Sequence, residues 1–391
     1  MINVLLLALC QALLLVNAVT LVAVGALAGY ALADNKVLAT LPATVYVIGS
    51  ALSTFPASLY MKRVGRRAGF LTGAAFGLAG SVLATIAIDI GSFATLCAGT
   101  FLFGIYNAFG QYYRFAAADV AAPEFRAKAI SYVMAGGLIG GIVGPEVSKL
   151  TRDLAQPTYM ASYASLFLVC LAAMATIAFL RIPSPKAERL GGDARPLAVI
   201  ARQPAFVVAV SVAALGYGTM NLLMTATPLA MVFCGHPYTA SATVITGHVI
   251  AMFAPSFFTG ALIQRFGVLN VILAGVAAML ACVATALAGR EVANFWWALV
   301  LLGLGWNFMY IGGTTLLTET YRPEEKAKAQ GFNELVVFGV QGLSAFASGV
   351  LVNTRGWDVL NYTAAPLILA AGAAALSLAA RRRTRSSPSA P

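Results

Sequence analysis

Charge is what this sequence has least of. Only 10% of its 391 residues are Asp, Glu, Lys or Arg, against 60% hydrophobic, and the mean hydropathy is +0.84. Soluble domains carry roughly a quarter charged residues, so this chain could not cover a water-facing surface. That excludes a soluble enzyme, a nucleic-acid-binding domain and a disordered chain. Histidine is scarcer still, with two residues, and no nucleophile–base constellation points to catalysis. The five cysteines, at 10, 97, 170, 234 and 282, form no CxxC or zinc spacing. They read as small apolar residues rather than a disulfide framework, Cys234 excepted. No Lys or Arg precedes the first apolar run, at 3–30. That run is nearly twice a typical ~7–15-residue signal core, so it reads as a retained first transmembrane helix.

What the sequence has in plenty is apolar runs of membrane-spanning length, each needing ~20 residues. Twelve are expected, near 3–31, 38–60, 68–88, 92–117, 128–149 and 160–180, then near 205–233, 239–262, 268–288, 293–318, 329–352 and 361–379. The longest polar stretch lies between the sixth and seventh. The expected organisation is therefore an N-terminal six-helix half (1–181), a cytoplasmic central loop (182–204) and a C-terminal six-helix half with a basic cytoplasmic tail (205–391). With both termini and the central loop in the cytoplasm, only Lys36, Lys149, Arg152, Arg290 and Arg355 of the 25 basic residues lie outside. That asymmetry sets the orientation and accounts for the net charge of +11 without nucleic acid.

Two internal repeats relate the halves. APEFRAKA at 122–129 returns as RPEEKAKA at 322–329, each between the fourth and fifth spans of its half. Lys62-Arg63-Val64-Gly65 and Gln264-Arg265-Phe266-Gly267 both join the second and third spans. The expected fold is an all-α membrane protein, twelve transmembrane helices in two parallel six-helix repeats. Such repeats place a transport site between halves near mid-membrane. Lys128 and Lys328 occupy equivalent loops and are candidates for holding a cytoplasmic gate.

These loops resemble those of the major facilitator superfamily. The loop of that family has a Gly start, an acid, a base and a glycine-basic end. Gly260 to Gly267 fits with Gln264 in place of the acid, and Lys62 stands there in the first half. A gating role for that acid is therefore not expected here. The first span also lacks the acid found in many proton-coupled drug exporters of the superfamily.

Ionisable residues inside a span are costly and mark function by default. Glu334, beside Asn333 early in the eleventh span, is a candidate proton site or gate hydrogen bond. Arg114 and Asp119, at the cytoplasmic end of the fourth span, read as interfacial anchors. Gly136, Gly137, Gly140, Gly141 and Gly144 give the fifth span a small-residue face for close helix contact.

The most specific signal is sulfur. Met220 and Met224 form MxxxM on span seven, and His248 and Met252 form HxxxM on span eight. Spacing i, i+4 puts each pair on one helix face. Met231 and Cys234 continue the span-seven arc within ~80° of one another. Methionine commonly fills packing gaps, but an imidazole within a span needs a reason. Thioether, thiolate and imidazole together select Cu(I) over hard cations.

In a twelve-span chain, these motifs resemble those of the CcoA-type copper importers, whose relatives include riboflavin importers. The resemblance implies copper uptake across the bacterial inner membrane by alternating access, with Met220, Met224, His248 and Met252 as ligands. Met231 and Cys234 would lie on the entry route. Copper would be the substrate, no cofactor would be permanently bound, and the partners would be the lipid bilayer and a cytoplasmic copper chaperone. The copper would supply cbb-type haem–copper oxidase assembly. The alternative is an organic-solute transporter, with riboflavin the leading candidate, the sulfur motifs structural, and Tyr112, Tyr113, Trp306, Asn307 and Tyr310 available to stack on and hydrogen-bond a flavin. A non-transporting membrane receptor is less favoured, because the repeat predicts a central cavity.

Overall fold

The computed structural model describes residues 1–35, 38, 41–182 and 194–386. The described residues form fifteen α-helices and no strand. In chain order they are α1 (Ile2–Leu32), α2 (Leu41–Val64), α3 (Arg66–Asp89), α4 (Phe93–Gly110), α5 (Tyr113–Val120), α6 (Arg126–Thr151), α7 (Met160–Ala178) and α8 (Leu197–Ala201). There follow α9 (Pro204–Phe233), α10 (Tyr238–Phe253), α11 (Ser256–Phe266), α12 (Val268–Ala288), α13 (Val292–Leu317), α14 (Lys326–Thr354) and α15 (Gly356–Ser386). Lys36, Lys186 and Arg189, counted in the charge asymmetry, lie outside the described residues.

The fifteen helices correspond to the twelve expected spans plus the short α8, because two spans are broken. The fourth divides into α4 and α5 after Gly110, and the eighth into α10 and α11 at Pro255, with a bend of 42°. Proline there withholds a backbone donor, and its ring crowds the preceding turn. Ten described segments are long and apolar enough to cross a bilayer, and the bent pair makes eleven. The second expected span, α2, is the one left out of that count, although it has the length at 24 residues. Its serines, threonines, tyrosines and prolines, with Lys62 and Arg63 at its end, keep its composition below a spanning helix's.

The repeated loop sequences have a structural cause. Gly65 ends α2 at φ +89° and Gly267 ends α11 at φ +85°. Both turn the chain through the left-handed region, where a side chain would be strained. The small-residue face of α6 does what its spacing implies. A Cβ on Gly136 would lie 2.1 Å from the Ala8 carbonyl oxygen, and one on Gly140 2.4 Å from that of Ala12. Glycine is thus what lets the α6 and α1 backbones touch.

Two compact units result. The first comprises Met1–Pro123, Tyr132–Asp193 and Gln330–Leu335; the second comprises Glu124–Ser131, Ala194–Ala329 and Val336–Pro391. The units depart from chain-order halves at two reciprocal segments. The start of α6 belongs to the second unit, and a turn of α14 belongs to the first.

Candidate functional site

In the first unit, four charged side chains meet where α3, α5 and the early turns of α14 pack. Arg66 donates to Asp119 Oδ2 at 3.2 Å and to Gln330 Oε1 at 2.5 Å, and its guanidinium lies over the Tyr112 ring. Arg114 is ion-paired with Glu334, both fully buried. Glu334 Oε1 also accepts from Asn333 Nδ2 at 2.7 Å, while its Oε2 has no partner among the described residues. Arg114 has other acceptors: Gln111 O at 3.0 Å, Gln111 Oε1 at 3.3 Å and the Phe115 ring face at 4.6 Å. The expectation that Arg114 is an interfacial anchor is corrected here. Arg114 is buried within the fourth span, and Glu334 supplies the counter-charge that makes its burial tolerable.

In the second unit the repeat sequences do different work. Glu325 accepts on both oxygens from Arg195, whose guanidinium also reaches Thr320 O at 3.2 Å. Lys328 Nζ donates to the Arg195 carbonyl, so the second repeat clasps residues within the central loop. The first repeat carries Phe125 where Glu325 stands and makes no such fork. Lys128 sits instead at a close backbone approach: a Cβ on Gly260 would lie 2.6 Å from Lys128 Cα. Gln264 donates to the Glu124 carbonyl beside it. The neutral residue at the usual acid position thus ties α11 to the start of α6.

The sulfur and imidazole residues lie in this unit, on α9 and α10. Met220, Met231 and Met252 are buried, and Met224 and Cys234 are half-buried. His248 is fully buried; its Nδ1 lies 2.8 Å from the Leu299 carbonyl of α13, and its Nε2 has no partner among the described residues. Gly303 of α13 admits the α10 backbone at His248 and Met252, and Gly216 of α9 packs on Met309 of the same helix. Both motif helices therefore lean on α13, which sets the imidazole's orientation. Among the described residues no three of His, Cys, Asp and Glu form a metal-binding group.

Between those contacts α13 presents aromatic rings. Trp306 and Tyr310, one turn apart, stack with centroids 5.0 Å apart and planes 19° from parallel. Tyr217 of α9 stands edge-on to both, at 5.4 and 5.2 Å, and Phe253 of α10 edge-on to Trp306 at 5.7 Å. Trp306 Nε1 is buried without a partner among the described residues. Asn307 is occupied: it donates to Met252 O and Ser256 Oγ at 2.6 Å each and accepts from Thr259 at 2.7 Å. Tyr112 and Tyr113 belong to the first unit, where the Tyr112 hydroxyl donates to Thr54 O and Tyr113 packs on Phe70. Of the five residues expected for a flavin, the structure brings together Trp306 and Tyr310. Sequence reasoning missed Tyr217 and Phe253, since single aromatics on other helices carry no spacing signal. It also missed Arg66, hidden in a run of loop bases.

Residues 4–245 and 209–391 match the Major Facilitator Superfamily. The riboflavin transporter RfnT of Brucella anthropi is 38% identical over 369 residues, covering 94% of this chain and 93% of that protein. A bacterial homologue of the iron transporter ferroportin, crystallised outward-facing, superposes with a TM-score of 0.77 at 14% identity over 97% of this chain and 99% of that one. The human organic anion transporter MFSD10 does so at 0.78 and 12%, over 96% and 99%. These two likenesses carry the fold alone. With the family match spanning nearly its whole length, the chain is a multi-pass membrane transporter and belongs to the major facilitator superfamily.

Proposed function

We propose that this transporter carries riboflavin, or a closely related flavin, across the bacterial inner membrane into the cytoplasm by alternating access. The observation that carries the reading is the 38% identity to a riboflavin transporter along almost the whole of both chains. The chemistry of α13 agrees with it. Stacked Trp306 and Tyr310, flanked by Tyr217 and Phe253, offer the flat apolar faces that a fused ring system needs. The unpartnered Trp306 N–H supplies a donor for a ring carbonyl, and such sites combine apolar walls with few fixed polar groups. The two six-helix halves (1–181 and 205–391), joined by the central loop, would be the moving parts, and the basic asymmetry puts both termini in the cytoplasm. No resident cofactor enters the scheme.

The test is growth of a riboflavin-auxotrophic bacterium on low riboflavin with the gene supplied, beside uptake of labelled riboflavin. Uptake that Trp306→Phe weakens at normal protein level is expected; no uptake by the parent protein overturns the reading.

A second reading retains one observation. His248 holds Nδ1 against a backbone carbonyl and leaves Nε2 free, which is how metal-ligating histidines are oriented. With Met252 one turn on and Met220 and Met224 on α9, that favours a soft ion, Cu(I), passed to a cytoplasmic chaperone. Labelled copper uptake measured in the same cells separates the two.

A further inference from the structure

We infer that Gln341 is a specificity residue of this transporter. Its side-chain carbonyl accepts the ring N–H of a planar heterocycle with a cyclic imide edge, an N–H flanked by two carbonyls. The inference rests on the flavin reading and deepens it, because the ring system of riboflavin ends in such an edge, at N3 between C2 and C4.

Gln341 lies on α14 where that helix meets α9, within the second unit. Three contacts set the backbone there. Asn221 Nδ2 donates to the Gln341 backbone carbonyl at 3.0 Å, and Ser348 Oγ donates to the Leu222 carbonyl at 2.7 Å. A Cβ on Gly218 would lie 2.5 Å from the Val340 side chain and 2.9 Å from Ser344 Oγ, so that glycine lets the two helices close. None of these contacts uses the Gln341 side chain, and an apolar residue at 341 would keep all three. Yet the position carries a carboxamide, and its Oε1 is buried without a partner among the described residues. A buried acceptor left unpaired is costly, and inside a span no packing role calls for it.

Helix α9 joins this acceptor to the aromatic rings. Tyr217 precedes Asn221 by one turn, about 6 Å, on the same face. Asn221 holds Gln341, and Tyr217 stands edge-on to Trp306 and Tyr310. Adjacent turns of one helix thus bridge the orphaned acceptor of Gln341 and the orphaned donor of Trp306. Flat ring faces accept any aromatic plane, so choice among planar solutes falls to the few polar groups at the edge. An imide edge alternates acceptor, donor, acceptor. The Trp306 N–H answers one of its carbonyls, and Gln341 Oε1 answers its N–H.

The test is competition against labelled riboflavin uptake by the full-length protein. The competitors are unlabelled riboflavin and 3-methylriboflavin, whose edge nitrogen carries no hydrogen. In the parent, the methylated compound should compete at least about tenfold more weakly, since a site built to bond an N–H rejects the analogue that lacks it. Gln341→Leu keeps the side chain's bulk, suits a span and removes the acceptor. It should weaken riboflavin and bring the two compounds to within about twofold of each other. A packing defect alone would weaken both together and preserve their ratio, so an unchanged ratio in Gln341→Leu overturns the inference. Where that variant is not recovered from membranes, Gln341→Met, which keeps the unbranched chain, decides by the same ratio. Uptake of riboflavin by the parent with equal competition from 3-methylriboflavin overturns this inference and leaves the flavin reading standing. No riboflavin uptake by the parent overturns both.

Discussion

Trp306→Phe separates a ligand-binding ring from a packing ring. The substitution keeps an aromatic face against Tyr310 but removes the Nε1 hydrogen. That hydrogen is buried and unpartnered, on a residue only 2% exposed. An orphaned buried donor costs about 1–3 kcal/mol of desolvation. Its removal therefore offsets much of the packing lost with the smaller ring, and the protein should reach the membrane at near-normal level. Binding runs the other way. If the N–H meets a flavin carbonyl, the variant loses a net hydrogen bond of about 0.5–1.5 kcal/mol. At 1.4 kcal/mol per decade, the half-saturating riboflavin concentration should rise about 2- to 12-fold. Truncation to Ala should go further, since it also removes stacking and opens a cavity, about 3–5 kcal/mol for a buried Trp. The assay is initial-rate uptake of labelled riboflavin against concentration, normalised to protein in the membrane. An unchanged half-saturation in Trp306→Phe at normal abundance refutes the assignment of Trp306 to the solute.

Met224→Leu conserves volume and should cost under ~1.5 kcal/mol if the residue only packs, so riboflavin uptake should be unaffected; loss of copper uptake in this variant and in His248→Gln would instead establish the soft-ion reading. Glu325→Gln removes the charge from a carboxylate that accepts three donors of Arg195, counting its backbone N–H. Residues 194–196 should then become more open to limited proteolysis, whereas an unchanged digestion pattern would mean that the fork holds nothing in place. On the proposed topology, which puts Arg381, Arg382 and Arg383 in the cytoplasm, a C-terminal fluorescent protein should be bright and a C-terminal alkaline phosphatase inactive; the opposite pair of signals would reverse the topology.

The fold was legible because its cause is compositional. Apolar runs bounded by charge specify spans whatever they pack against, and the twin glycines at 65 and 267 mark backbone that must turn left-handed. The candidate site was less legible, because its parts are set by packing. Glu334 stood out as an acid in a span, but its partner Arg114 looked interfacial, because spacing within one helix does not show a counter-charge supplied by another. Met and His at i, i+4 shared a face, as spacing dictates, yet spacing does not say which neighbour that face meets. The His248 imidazole meets a carbonyl of α13. The Trp306–Tyr310 stack is itself an i, i+4 pair on α13, visible in sequence only to a reader who weights aromatic spacing as heavily as sulfur spacing. The two kinds of signal differ in what else explains them. Methionine fills irregular gaps without strain, so its recurrence is compatible with packing alone. A buried indole whose N–H finds no acceptor has no packing explanation, and that orphaned donor, rather than any motif, is the reason to place the solute beside α13.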